Sequence, residues 1–281
     1  MSLTWYSSLV SKKKYPIKHW SYSSLIAYLR NPLAWYKRYV EGVYDIPGTP
    51  ASVIGQAGHV ALQHFYSGLS KDAAINLGLE YLRNVSDFEI NFGKISSKRG
   101  RGNKRKKMEK EYKQAINFYL ARPPRHKVLG TEVKSLSYIP GVPIPVKAIS
   151  DLVVSSHVDK NAVDIVDHKF VNAFGKRETD NPLFMLQALF NYYTVLSKFN
   201  KPVRRFIVYE CKKTKNRDGK TQLRRHYIDF QNHQDEFRFF RDLIADTSYD
   251  LLTRKKFLPN PTDMFEGKES LEIYRLKLID K

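Results

Sequence analysis

The chain is poor in cysteine, and Cys211 is the only one among its 281 residues. A single thiol excludes an intrachain disulfide, and it excludes a zinc site or iron–sulfur cluster built from several cysteines of this sequence. No stretch approaches the roughly 20 apolar residues of a membrane-spanning helix, and the first residues lack the apolar core of a signal peptide. The phosphate loops GxxxxGK[S/T] and GxGxxG are also absent, which argues against an ATP-driven motor or a dinucleotide enzyme. We therefore expect a protein of the cytoplasm without membrane attachment.

Acidic residues are scarce relative to basic ones. The 28 Asp and Glu stand against 48 Lys and Arg, for a net charge of +20. Such an excess points to a polyanionic partner, with nucleic acid favoured over an anionic membrane surface. Residues 94–113 hold ten basic and two acidic residues, which leaves +12 elsewhere (20 − 8). We keep two interpretations of this segment, a solvated mobile insertion and an arm that grips phosphates.

The hydrophobic periodicity changes from helical to strand-like near residue 128. Asn31 and Pro32 separate two short helical signals, and two further helices are expected over about 53–68 and 71–84. The three strand signals that come next suggest an antiparallel meander. The expected later elements are strands at 128–138, 144–154, 162–169, 203–210 and 221–229, with helices at about 181–198 and 231–254.

The third strand, "AVDIVDHKF", interrupts an apolar run with charged residues. Alternate side chains of a strand share a face, so Asp167 and Lys169 point to one side. Asp151 lies in a similar apolar run on the neighbouring strand, and two facing carboxylates repel unless a cation lies between them. Oxygen ligands suit Mg²⁺ or Mn²⁺, and Lys169 beside the ion would orient or deprotonate a water for phosphodiester hydrolysis. An ordinary buried ion pair is the alternative. We expect Asp164 to face solvent.

The order of these motifs resembles the PD-(D/E)XK nuclease superfamily, and more specifically its RecB-like nuclease domains. The helix opening "SYSSLIAYLRNP" at 21–32 is similar to that group's first motif. The resemblance implies an α/β (α+β) fold with a restriction-endonuclease-like core, a mixed central sheet flanked by helices and an N-terminal helical cover. Its remaining motifs match Gly55 to His59, Glu132, "AISD" ending at Asp151, Asp167 to Lys169, and Gln187.

The resemblance also implies roles for these residues. It implies that four residues bind Mg²⁺ or Mn²⁺, namely Asp151, Asp167, His168 and His59. His168 would bind through its backbone carbonyl. It implies that Lys169 serves the water nucleophile, that Glu132 holds or orients a second ion, and that Gln187 touches DNA or braces the site. Asn191 stands where relatives often have a tyrosine, with Tyr192 as a doubtful substitute.

Many relatives carry an iron–sulfur cluster, and here its cysteines are missing. Asn31 stands at the first cysteine position, and the tail "FLPNPTDMFEG" contains none. We therefore expect no cluster, and we expect the tail to be held by packing through Phe257, Leu258 and Phe265. We expect one RecB-like domain over 1–281, with a helical cover at about 20–127 that includes the basic insertion 94–113. The sheet core spans about 128–230, and a helix and tail span 231–281.

The function that follows is a metal-dependent DNA nuclease, with an exonuclease preferred, in DNA repair, recombination or phage DNA processing. Its cell would be bacterial, archaeal or phage-infected, and a helicase or recombination protein would be a partner in trans. Alternatives are a nuclease-fold subunit that binds nucleic acid without cutting it and a basic RNA-binding protein. The residues expected to contact DNA phosphates are Lys98, Arg99, Arg101, Lys104, Arg105, Lys106, Lys107, Lys212, Lys213 and Lys215.

Overall fold

The computed structural model describes residues 15–43, 47–174, 182–216 and 222–260. Within these ranges the chain forms seven α-helices and a five-stranded mixed sheet, which is the predicted α/β architecture. None of the helices in the described ranges is long and apolar enough to cross a membrane. The helices are α1 Tyr22–Arg30, α2 Pro32–Tyr39, α3 Pro50–Tyr66, α4 Lys71–Asn84, α5 Lys98–Ala121, α6 Pro182–Phe199 and α7 Gln234–Thr253.

Side-chain caps set the starts of the early helices. The Asn31 side chain accepts the N–H of Ala34 at 3.1 Å, and Pro32 takes the first position of α2. Thr49 caps α3 in the same way, immediately before Pro50. Proline fits this position because the N–H that it lacks would have no partner inside the helix. The predicted break between the first two helices is therefore confirmed.

The strands follow one another across the sheet in chain order, β1-β2-β3-β4-β5. The first three pair antiparallel, as the meander predicted. β3 and β4 pair in parallel, so α6 crosses between them, as a parallel pair requires. β4 and β5 are again antiparallel. The strands are β1 Val128–Ser137, β2 Val146–Ser155, β3 Val163–Val171, β4 Val203–Lys212 and β5 Leu223–Asp229.

Helices cover both faces of the sheet. α3, α4 and α5 build one core with Leu152, Val166 and Ile207. α1, α2, α6 and α7 build the other core, which includes Val163 and Ile165. β3 lies in the centre of the sheet and is buried on both faces, which explains its nearly continuous apolar sequence.

The expectation that Asp164 faces solvent is wrong. Its side chain is fully buried, and Arg205 on β4 donates from Nη2 and Nε to Asp164 Oδ2 at 2.6 and 3.1 Å. Strand alternation did place Asp164 on the face opposite Ile165, which is the face that Val166 presents to the core of α3 and α5. That face is covered by α3 and α5, so a buried ion pair replaces the expected solvent.

The basic segment 94–113 runs into a regular helix. Its residues from Lys98 onward begin α5, in which Met108 and Tyr112 are buried against α3 and α4. The Tyr112 hydroxyl donates to the Ile75 carbonyl at 2.8 Å. Apolar residues one helical turn apart thus hold the segment in place, and the mobile-insertion interpretation does not hold for residues 98–113.

The segment after α7 packs onto the first helix pair. The Phe257 ring stacks on Tyr36 with a centroid separation of 4.4 Å, as predicted. The expected packing through the Leu258 side chain is wrong, because that side chain is 63% exposed. The Leu258 carbonyl instead accepts the Leu33 N–H at 3.2 Å. Phe265 lies outside the described residues. Hydrogen bonds and ring stacking therefore join the segment after α7 to α2.

Candidate active site

The backbone pairing between β2 and β3 ends where the charged residues begin. Leu152 and Val166 form the last registered pair, and the next positions along the two strands are Asp151 and Asp167. The His168 N–H donates to Asp151 Oδ2 at 2.7 Å, so a side-chain oxygen takes the place of a backbone carbonyl. Like charges directly opposite one another destabilise a strand pair. The two carboxylates therefore mark the point at which the backbones of β2 and β3 stop pairing, which we call the opening of the sheet.

The alternation of side chains along β2 is interrupted at Asp151. Ser150 donates its hydroxyl to Asn191 Oδ1 on α6 at 2.6 Å, whereas Leu152 is buried in the core of α3 and α5. A regular strand would place residues 150 and 152 on the same face. Because they lie on opposite faces, the strand rotates at the residue between them, and Asp151 projects at the boundary between the two layers.

The alternation along β1 is interrupted in the same way at Glu132, opposite Asp151. The Thr131 hydroxyl lies 3.0 Å from the hydroxyl of Ser67, just after α3, whereas Val133 belongs to the core of α6. Glu132 between them has a φ of 47°, in the left-handed region. A non-glycine residue there costs about 1–3 kcal/mol, and such strain is concentrated at functional sites. The strained backbone directs Glu132 toward Asp151 on the neighbouring strand.

Helix α3 brings a histidine to these carboxylates. His59 Nδ1 lies 3.2 Å from Asp151 Oδ2, and ligand atoms of His59, Glu132 and Asp151 all lie within 4.8 Å of one another. The helix approaches β3 closely because Gly58 has no side chain, and a Cβ there would lie 2.2 Å from the Phe170 ring. Two carboxylates and an imidazole can hold a divalent cation such as Mn²⁺ or Mg²⁺. We call these three residues the carboxylate–histidine cluster.

The charges in this cluster depend on one another. Burial alone would raise the pKa of Asp151, but His59 and the ring of His168, whose Nδ1 lies 3.4 Å from Asp151 Oδ2, outweigh it and lower that pKa. Burial alone would lower the pKa of His59, and the Asp151 charge raises it instead. Burial and the Asp151 charge both raise the pKa of Glu132. An ionised Asp151 thus favours a positive partner, which a bound cation would also be.

Asp167, Lys169 and Gln187 form a closed triangle of hydrogen bonds next to the cluster. The Lys169 ammonium lies 2.8 and 3.1 Å from the two Asp167 oxygens and 3.1 Å from Gln187 Oε1. Gln187 Nε2 donates to Asp167 Oδ1 at 2.8 Å. Burial and the charge of Asp151 raise the pKa of Asp167, although Lys169 opposes them. The three side chains fix a positive charge beside a carboxylate.

The ring of His168 points into the opposite layer and ends a chain of hydroxyl groups. His168 Nε2 lies 2.9 Å from the Tyr119 hydroxyl, which lies 3.0 Å from that of Tyr66. Tyr66 donates to the Pro124 carbonyl at 3.1 Å, so its single hydrogen is used there. Tyr119 must then donate to Tyr66, and His168 must donate from Nε2 to Tyr119. This chain holds His168, and with it the N–H that contacts Asp151.

The structure brings most predicted site residues together in two adjacent groups. The carboxylate–histidine cluster includes Glu132, whereas Asp167 is hydrogen-bonded to Lys169 and Gln187. The backbone N–H of His168 contacts Asp151, and its ring contacts Tyr119. The role of the His168 carbonyl as a metal ligand stays a prediction.

Other contacts at the site carry no sequence motif of their own. Asn191 donates to the Gln187 carbonyl at 2.9 Å and accepts from Ser150, so it ties α6 to β2 beside Asp151. Tyr192 packs on Phe230 and Phe237, in the layer of α6 and α7. Periodicity and motif spacing could not reveal the Asn191 contact, because it depends on the packing of α6 against the sheet.

The ten basic residues predicted to contact DNA lie in different environments. Arg101 and Arg105 are within 3.2 and 2.6 Å of Asp87. Lys213 is 2% exposed, and burial lowers its pKa, so its ammonium is not available to a surface phosphate. Lys212 lies over the Phe174 ring. The remaining six are at least partly exposed: Lys98, Arg99, Lys104, Lys106, Lys107 and Lys215.

Comparison with known proteins defines the class. A sequence model of the PD-(D/E)XK nuclease superfamily matches residues 19–264, which is most of the chain. The chain therefore belongs to the PD-(D/E)XK nuclease superfamily, whose members use divalent metals. None of the curated proteins matches it. A solved structure titled "Crystal structure of SSO0001" is similar at a TM-score of 0.33 and 12% identity, over 79% of this chain and 85% of that one. That likeness is too weak to carry an argument.

Proposed function

We propose that the chain is a metal-dependent DNA exonuclease of the RecB-like group, and that residues 1–281 form one domain. The superfamily match supports nuclease chemistry, and the motif order supports the RecB-like assignment. Support for one domain comes from contacts between distant parts of the chain, such as the 2.9 Å hydrogen bond from Trp20 Nε1 to Ser248 Oγ. The pathway would be DNA repair, recombination or phage DNA processing.

The observation that carries the proposal is the adjacency of the two groups at the opening of the sheet. His59, Glu132 and Asp151 would hold Mg²⁺ or Mn²⁺, with Asp167 as a further predicted ligand. The bound ion would supply Lewis-acid stabilisation and a more acidic water. A structural ion pair alone would not need a strained Glu132 aimed at a second carboxylate.

Lys169 acts in this proposal as a fixed positive charge. An ammonium has three N–H donors, and Lys169 directs two of them at Asp167 Oδ1 and Gln187 Oε1, each at 3.1 Å, which leaves one for a water. A lysine held in this way stays protonated, so it orients the attacking water and offsets negative charge on the phosphate in the transition state. Of the two roles considered for Lys169, orientation of the water is thus favoured over its deprotonation.

DNA would bind through the basic character of the whole molecule. The net charge of +20 favours a polyanionic ligand, and the exposed lysine and arginine side chains at the start of α5 lie on a regular helix. Binding through phosphates weakens steeply with salt and reads little sequence. A helicase or recombination protein would deliver the DNA ends.

The test is degradation of end-labelled linear and circular DNA, single- and double-stranded, with Mg²⁺, Mn²⁺ or EDTA. We expect cutting of linear DNA with metal, intact circles, and a loss of at least 100-fold in Asp167→Ala and in Lys169→Ala, since removing one transition-state contact typically costs about that much. Asp242→Ala and Lys160→Ala remove exposed charges away from the site and should cut normally. Wild-type protein that binds DNA and leaves every substrate whole would favour the non-cutting subunit, and metal-indifferent RNA binding would favour an RNA-binding protein.

A further inference from the structure

One face of the β1–β2 hairpin continues from the carboxylate–histidine cluster and carries no covering layer within the described chain. Lys134 pairs with Ile149 and Leu136 with Lys147 across the two strands, so these four side chains share a face. Tyr138, just beyond β1, continues the row. Leu136, Ile149 and Tyr138 are 38%, 46% and 76% exposed. We call these five residues the hairpin face.

The opposite side of the same hairpin is packed. Val133, Ser137 and Ile139 alternate with the exposed residues and are buried, and Val133 and Ile139 belong to the core of α6. The helices α3 and α5 cover the sheet only farther along β2, from Leu152 onward. An antiparallel strand face that meets only water is normally polar. Here three of the five side chains are apolar or aromatic, so the face has the composition of a contact surface.

The charge of this surface has one sign. Lys134 and Lys147 lie on the hairpin face, and Lys198 reaches its edge by donating to the Lys134 carbonyl at 3.4 Å. Burial, Lys147 and Lys18 all lower the pKa of His19, which precedes Trp20, and the Trp20 backbone pairs with Val146 beside Lys147. On the described strands, the first acidic residues reached from this face are Glu132 and Asp151 of the cluster. A polyanion on this surface would lead directly to the candidate metal ligands.

We propose that the hairpin face binds the single-stranded end of the DNA that enters the site, an inference that rests on the proposed nuclease function. The lysines contact phosphates, while Tyr138, Leu136 and Ile149 contact bases. An aromatic ring beside basic side chains suits a single strand, whose bases are free to stack, whereas a duplex offers only its backbone and groove edges. From Glu132 to Tyr138 the strand spans roughly 20 Å at about 3.3 Å per residue, enough for a short run of nucleotides.

The test is binding of a fluorescein-labelled 30-nucleotide oligothymidylate, and of a duplex of the same length, by fluorescence anisotropy in EDTA. We expect Tyr138→Ala to weaken single-strand binding roughly tenfold, with a smaller effect on the duplex. Lys134→Gln with Lys147→Gln should weaken it as well and reduce the slope of log K against log salt by roughly 1.4, about 0.7 per phosphate contact. Tyr249→Ala is the matched control, because Tyr249 is 66% exposed on α7.

A second variant separates binding from folding. Tyr138 precedes the buried Ile139, and Tyr138→Leu keeps an apolar side chain there while removing the aromatic ring, so it should also weaken single-strand binding. Equal affinity of wild type and all hairpin-face variants would overturn the proposal, as would an equal loss in Tyr249→Ala. Because binding is measured without metal, a protein that never cuts DNA but loses affinity in these variants would retain the hairpin face and reject only the nuclease activity.

Discussion

Replacement of Arg205 by methionine should destabilise the protein by about 3–5 kcal/mol. Arg205 is the partner of Asp164, whose side chain is fully buried in the centre of the sheet. Removing one member of a buried pair leaves the other charge without compensation, and costs of this size follow. Replacing both members by apolar residues of similar size, as in Asp164→Leu with Arg205→Met, should return the free energy of unfolding to within about 1 kcal/mol of wild type or above it.

The chain contains a matched control for this prediction. Arg238 and Asp235 form a pair at 2.7 Å, close to the 2.6 Å of the buried pair, but their side chains are 68% and 87% exposed. Exposed pairs contribute less than about 1 kcal/mol, so Arg238→Met should be nearly neutral. The two single substitutions make the same chemical change on pairs of nearly equal length, and they differ in burial.

The assay is urea unfolding followed by far-ultraviolet circular dichroism and by tryptophan fluorescence, with free energies taken from the midpoint and slope. A cost below about 1 kcal/mol for Arg205→Met, or equal costs for Arg205→Met and Arg238→Met, would refute the reasoning that burial decides the value of the pair. A double variant as unstable as Arg205→Met alone would show that packing, and not the lost charge partner, is responsible.

Two further predictions concern close packing. Gly78→Ala should destabilise the protein by about 1–3 kcal/mol, because the added Cβ would lie 2.1 Å from the Tyr112 hydroxyl and 2.5 Å from the Ala57 carbonyl. Gly55→Ala should instead stabilise α3 by about 1 kcal/mol in the same urea assay, because its added Cβ would meet open space among the described residues. Burial raises the pKa of the Cys211 thiol to about 12, so a disulfide reagent at pH 8 should label it only after unfolding, and rapid labelling of folded protein would contradict its burial.

The sequence predicted most of the elements because their signals are local, but it did not predict helix α5 over Lys98–Ala121. Asn31 with Pro32 marks a helix boundary by itself, and the change from helical to strand periodicity near residue 128 needs no tertiary information. The prediction that Asp164 faces solvent failed because its burial depends on tertiary packing. Alternation along β3 identifies its face correctly, but only the packing of α3 and α5 decides whether that face meets water.

The candidate site also has features that the sequence predicts and features that depend on backbone conformation or packing. Motif spacing identified Asp151, Asp167 and Lys169, since each lies on a strand whose neighbours are predictable. The left-handed backbone of Glu132 leaves no trace in residue type, because glycine and asparagine are the usual markers of that conformation. The contact between Asn191 and Ser150 joins a helix to a strand, so it appears only when the two are packed.

The contacts that Trp20 and α1 make with α7 and the segment after it bear on how the protein is synthesised. Trp20 finds its acceptor, Ser248, 228 residues later, and the Arg30 carbonyl accepts from the Asn260 amide 230 residues later. Trp20 leaves the ribosome long before its partner exists, and chaperones bind exposed apolar surface of this kind. A nascent chain interrupted before residue 248 would contain the whole sheet and every candidate ligand, yet it would display Trp20 to quality control. Synthesis of α7 would thus supply the hydrogen-bond acceptor that Trp20 lacks until then.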